Sequence, residues 1–140
     1  MSNTRFTVAI HVLTLLAYCG PEALTSEFIA GSVNTNPVVI RRILSTLREA
    51  KLVASQAGPG GGWQLLRDPR KITLRDILAA VSGDPTFLLH SAPPNIECPV
   101  GRDIQAILAR RFQSAQEAME RDLERTTIAQ LISEVGGGSA

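Results

Sequence analysis

Between residues 40 and 66 the chain changes its hydrophobic period, and that change limits what it can fold into. Ile40, Ile43, Leu44 and Leu47 recur at the i, i+3, i+4, i+7 spacing of one helical face. The segment VVIRRILSTLREAKLV, residues 38–53, therefore reads as an amphipathic helix. Asn36 suits its N-cap, and Pro37 suits the first helical position, where the missing N–H costs nothing. After Lys51 the helical period stops. Residues 52–56 (LVASQ) and 63–66 (WQLL) are short and strand-compatible, with a glycine-proline loop between them. That order predicts a β-hairpin directly after a helix, with glycines supplying the positive φ values of its tip.

The loop itself, AGPGGGW, admits three readings. A phosphate-cradling loop needs a strand, then glycines, then a helix N-terminus. Here the glycines lie between two strands, and the G-x-x-x-x-G-K-[ST] pattern is missing. A plain flexible hairpin is the second reading. The third is a wing, whose lack of side chains lets backbone N–H groups approach DNA phosphates. The third is favoured by what precedes it. Residues 4–18 form a nearly all-round apolar helix with Val8, Val12, Leu15 and Leu16 on one face, and Gly20-Pro21 stops it. Thr25 can cap a second, short helix, whose apolar face begins at Phe28 and Ile29 and which Gly31 ends or bends. Two helices joined by a tight turn, with Val38, Val39, Arg41, Arg42, Ser45 and Arg48 on the free face of the second, make a helix-turn-helix candidate.

Downstream, Thr73 caps a stripe of Leu74, Ile77, Leu78 and Val81. The proline-rich stretch 83–99 is a linker, and a long helix runs from Val100 to about Arg125. Its stripe of Ile104, Leu108, Phe112, Ala115, Met119 and Leu123 calls for a partner, since a lone helix cannot bury it. Thr126 or Thr127 caps a last helix over residues 128–135. The predicted fold class is mainly α with a small β-hairpin. It has a winged helix-turn-helix domain over 1–82, a linker over 83–99, a dimerisation helix and short terminal helix over 100–135, and a disordered tail over 136–140.

Charge is split along the chain. Residues 1–82 hold nine Lys and Arg against five acids, and residues 83–140 hold five Arg against eight acids, within a net charge of +1. A basic N-terminal half fits a polyanion-binding module on a separate platform. No apolar run reaches 18 residues, so no membrane span is expected, and a cytoplasmic protein is the default. No Ser/His/Asp set, paired carboxylates or metal triad stands at a convincing spacing, so the chain is not read as an enzyme.

The stretch LREAKLVASQAGPGGGWQLLRDPRKITLRDILAAV resembles the wing region of the Rrf2 family of bacterial transcription regulators. The shared pattern is a leucine-rich helix end, a short strand, G-x-x-G-G before an aromatic or apolar residue, and an I-x-L-x-D/E-I/V-x-x-A-V helix. LTSEFIAGSVNTNPVVIRRIL and ECPVGRDIQ are most similar to its YwnA-like branch, and the resemblance spans nearly the whole chain. It implies a homodimer whose long helices cross between subunits, and two winged domains on successive major grooves of a palindromic DNA operator, usually for repression. Asn36, Val38, Val39, Arg41, Arg42 and Ser45 would then face the major groove. Thr25 and Ser26 would meet a phosphate, and Gly58, Gly60, Gly61, Gly62 and Gln64 would form the wing. Arg5 is a further candidate for backbone contact. Solvated helix faces remain the alternative for the arginines, and a winged-helix protein-interaction module remains the alternative for the whole. Ala57 departs from the family pattern, which often has an arginine there.

Cluster-binding members of that family carry three cysteines before the long helix. This chain has one there, Cys98, with Cys19 far away in sequence, so neither an iron–sulfur cluster nor another metal or cofactor is expected. Cys98 precedes Pro99 at the start of the long helix, a place where the helix dipole favours thiolate chemistry. It is a candidate redox or electrophile sensor; the alternative is a partly buried structural cysteine. Cys19, at the end of a buried helix, reads as core. A small effector bound near the stretch 85–99 is the rival source of a signal.

Overall fold

The computed structural model describes residues 4–83 and 85–136. Six α-helices and one hairpin follow in the order α1 (Thr4–Tyr18), α2 (Ser26–Val33), α3 (Pro37–Glu49), β1 (Val53–Gln56), β2 (Gly62–Leu65), α4 (Leu74–Val81), α5 (Pro99–Leu123) and α6 (Ile128–Glu134). The expected tail lies outside the described residues except for Gly136. A single 3-10 turn, Pro69–Lys71, bridges β2 and α4. Asp68 caps that turn, and hydrogen bonds from Arg70 hold its carboxyl down at about 2.

The helix starts follow local capping chemistry. Thr25 Oγ1 accepts from the Phe28 N–H at 3.1 Å, and Asn36 Oδ1 accepts from the Val38 N–H at 2.8 Å. Thr73 with Asp76, and Thr127 with Gln130, form reciprocal capping boxes. The ends differ more from expectation. Gly31 does not stop α2; the helix runs on to Val33, and Asn34 terminates it in the left-handed region with φ 65°. The third helix stops at Glu49 rather than running to residue 53. Lys51 turns left-handed with φ 62°, the Leu52 N–H reaches the Leu47 carbonyl at 3.0 Å, and the Lys51 N–H reaches Arg48 at 2.9 Å. Those two bonds form a Schellman closure, with Leu47 and Leu52 both buried in the core.

One aliphatic core gathers these elements. Ala9, Val12, Leu13 and Leu16 of α1 meet Ile29 and Ala30 of α2, the Ile40, Ile43, Leu44 and Leu47 stripe of α3, and Ile77 and Val81 of α4. Phe28 does not belong to the apolar face of α2 as expected; it is exposed on the surface. Cys19 is partly buried against the core. The last helix also differs from the expected division of the chain. Leu74 donates to the Thr126 carbonyl and Ile128 to the Ile72 carbonyl, so the segment before α6 pairs with the entry to α4. Ile128 is fully buried in the same core. Residues 128–134 therefore pack on the N-terminal core. What α5 alone does is leave: over 25 residues it has no buried side chain, and Arg75 of α4 forms ion pairs with Glu120 in it and with Glu124 at its C-cap.

Truncating Ile128 to Ala should cost about 2–5 kcal/mol of stability for the whole N-terminal domain. Urea unfolding followed by Trp63 fluorescence measures it. A transition unchanged at Trp63 would place α6 outside that domain.

Candidate nucleic-acid interface

Burial of one stripe of α3 fixes what its other side offers. With Ile40, Ile43, Leu44 and Leu47 inward, Val38, Val39, Arg41 and Arg42 are exposed and Ser45 is half-buried. Val38 and Val39 keep 45% and 39% of their surface exposed, an apolar pair on the outer side of the helix. The four arginines around the helix differ in their ties. Arg5 of α1 donates to Thr46 Oγ1 at 2.8 Å. Arg48 stacks over the Trp63 ring, 5.5 Å from its centroid. Arg41 Nη2 binds Glu27 Oε2 of α2 at 2.5 Å. Arg42 is exposed and has no side-chain partner among the described residues. The carboxyl of Glu27 is held below its ordinary value, first by its own backbone N–H at the start of α2 and then by Arg41.

The start of α2 lies on the same side. Thr25 is exposed, but its hydroxyl oxygen is engaged in capping. Ser26 is only 8% exposed, which leaves its side chain little access to any partner. Asn36 is exposed, with its Oδ1 likewise committed to the cap of α3.

The hairpin is positioned at both ends. Its strands pair antiparallel with Val53 opposite Leu65 and Gln56 opposite Gly62. At the tip the Gly61 N–H donates to the Gly58 carbonyl at 2.9 Å, with Pro59 second and Gly60 third at φ 75°. That is a type II turn, which places proline and glycine where each is favoured. At the base, Trp63 and Leu24 exchange both backbone hydrogen bonds, at 2.7 and 3.0 Å. This third strand-like contact was not expected; it joins the wing to the α1–α2 connection. Gly62 is required there: its φ is 151°, and a Cβ would lie 2.5 Å from the Leu24 carbonyl oxygen. Gln64 turns away from the tip, donating to the Pro21 carbonyl and accepting from Gln56 at 3.0 Å. The structure thus brings Val38, Val39, Arg41 and Arg42 together on one exposed face of α3, and holds Gly58, Gly60 and Gly61 on the hairpin turn with Gly62 at the start of β2. It commits Gln64 to bracing the hairpin. Ala57 is exposed beside the tip.

Cys98 is the N-cap of α5, is exposed, and makes no side-chain capping bond. Among the described residues no group of three or more His, Cys, Asp or Glu is placed to hold a metal ion.

An amphipathic second helix after a tight turn, followed by a two-stranded hairpin and backed by α1 and α4, defines a winged helix-turn-helix protein. The Rrf2 family model, described as an iron-dependent transcriptional regulator, matches residues 2–134. The Bacillus subtilis (strain 168) protein YwnA, which carries the name of an HTH-type transcriptional regulator, is 41% identical over 133 residues, covering 95% of this chain and 98% of that protein. A solved structure described as a DNA binding protein superposes with a TM-score of 0.74 at 39% identity, over 91% of this chain and 98% of its own. IscR of T. potens shares the fold, with a TM-score of 0.76 at 20% identity over 100% of this chain and 91% of that one. The chain belongs to the Rrf2 family of HTH-type transcriptional regulators, and not to a family of enzymes. The iron of the family's description finds no matching donor set among this chain's described residues. The lone Cys98 and the distant Cys19 do not supply the several thiolates of an ordinary cluster.

Two substitutions at the wing should act in opposite directions. Gly62→Ala should destabilise by about 1–3 kcal/mol, because the new methyl meets the Leu24 carbonyl at a φ that L-residues avoid. Lys51→Gly should stabilise by about 0.5–1 kcal/mol by relieving a left-handed lysine. Paired denaturant midpoints test both signs.

Proposed function

We propose that this chain is a homodimeric, cytoplasmic repressor that binds a palindromic duplex DNA site with α3 in the major groove. The observation that carries the reading is the outer face of α3: exposed Val38 and Val39 beside Arg41 and Arg42, on a helix whose opposite side is wholly buried. Arginine donates bidentately to guanine O6 and N7, and exposed methyl groups suit the thymine methyl. Asn36 and Ser45 flank that face, and the start of α2 at exposed Thr25 would face the DNA backbone. The glycine tip offers backbone N–H groups to phosphates at the groove edge without side-chain obstruction.

Dimerisation is supported by α5. Ile104, Leu108, Phe112, Met119 and Leu123 are only half covered, while Val100 and Ile107 are exposed. Such a stripe is satisfied by a second long helix. Among the described residues no helix is long and apolar enough to cross a membrane.

The signal is read through Cys98 or through a small effector. Cys98 stands exposed at the junction between the linker and the dimerisation helix, where modification would shift that helix and the spacing of the two α3 helices. A cleft of about 520 Å³ lies between the linker and the middle of α5, lined by Pro85, Phe87, Leu89 and Phe112. Phe87 stacks on Phe112 at 5.1 Å. An effector there would act on the packing of the linker against α5.

Gel shifts on duplex DNA from upstream of the chain's own coding region should show binding that falls about a hundredfold or more between 50 and 200 mM salt, as phosphate contacts release counterions. Arg42→Ala should weaken it. Weak binding without salt dependence would favour a protein-interaction module. Separately, oxidation should abolish binding by the native chain and spare Cys98→Ser. Equal behaviour of the two would move the signal to the cleft.

A further inference from the structure

A DNA-facing surface gathers cations, yet the structure sets a carboxylate within it. Glu27 lies in the first turn of α2, 64% exposed at its side chain, and its only side-chain partner among the described residues is Arg41 of α3. A phosphate drawn to the start of α2 by the helix dipole would be repelled by this residue. Nor is the fold a sufficient reason for the pair. Both side chains are more than half exposed, and exposed ion pairs add little stability.

The pair does constrain a guanidinium. Arginine presents five N–H donors in a rigid planar fork. Glu27 engages Nη2, while Nη1 and Nε have no partner among the described residues. Fixing one edge of the plane fixes the direction of the others. It also lowers the rotamer entropy that Arg41 would lose on meeting a base. Arg42, one position along the helix, has no such tie, so the two adjacent arginines are not equivalent.

We propose that Glu27 is a specificity-determining positioning residue: its ion pair aims Arg41 at a guanine edge and makes Arg41 a poor phosphate ligand. The proposal rests on the DNA-binding reading above. Arg41 then specifies a base, and Arg42 supplies affinity through phosphate. The negative charge of Glu27 weakens binding to unrelated DNA, so the ratio between selected and unrelated sites rises even though total charge attraction falls.

The test is selection from a random duplex library, then binding of a selected and an unrelated duplex across a salt series. The proteins are the full chain, Glu27→Gln, Arg41→Ala and the double variant, each with a thermal melting curve. The native chain should enrich a palindrome with one G·C pair per half-site whose preference Arg41→Ala loses. Glu27→Gln should lose the same preference and no other. Its ratio of selected to unrelated affinity should drop roughly tenfold or more, with unrelated DNA bound more tightly. The double variant should discriminate no worse than Arg41→Ala alone, and the melting of Glu27→Gln should match the native chain. A Glu27→Gln motif and ratio equal to the native ones would overturn the proposal and leave DNA binding standing. A lowered ratio with a lowered melting point and loss at every base position would also overturn it, showing a structural role. Failure of the native chain to bind any duplex in a salt-dependent way would overturn both.

Discussion

The inward packing of Ile40, Ile43, Leu44 and Leu47 governs the rest of this molecule. Each of these side chains is at most 4% exposed, and burying such a residue contributes about 1.5–3 kcal/mol. A helix with so strong a stripe has one rotational setting on its core. Hence the opposite face cannot be anything but Val38, Val39, Arg41 and Arg42. The cost of turning the helix to hide its arginines would be the loss of that stripe. Specific chemistry on the surface is thus set by nonspecific chemistry beneath it.

The hairpin inherits its position from the same helix. The Schellman closure at Lys51 reverses the chain as α3 ends, and Leu52 and Val53 return at once to the core. The Leu24–Trp63 bridge then clamps the far strand to the α1–α2 connection. Between these two anchors only residues 57–61 are free of strand pairing, and they are mostly glycine. The wing is therefore a bare tip on a braced stem, with Gln64 and Trp63 both spent on bracing.

Much of this was legible in the sequence because it is local. Thr25, Asn36, Thr73 and Thr127 cap where their side chains alone say they should, and the hairpin follows from glycine chemistry. Helix ends were less legible: Lys51 is not a residue that announces a left-handed stop, and what stops α3 is the pair of backbone bonds from Leu52 to Leu47 and from Lys51 to Arg48. The assignment of α6 to the N-terminal core depended on Thr126 meeting Leu74 and Ile128 meeting Ile72, pairings across more than fifty residues with no sequence signature. Glu27 and Arg41, fourteen residues apart, meet only once two helices are set at their crossing angle. Ser26 shows burial that the sequence does not announce: its residue type suits a phosphate, but its side chain is only 8% exposed.

The account's central claim is that α3 and the glycine tip form one DNA-binding face. Hydrogen–deuterium exchange of the full chain, with and without a selected duplex, tests it most directly. The account predicts new protection over residues 36–48 and 57–64 together, with α5 unchanged. Protection confined to α5 or the 85–98 segment, with α3 exchanging as in the free chain, would contradict it.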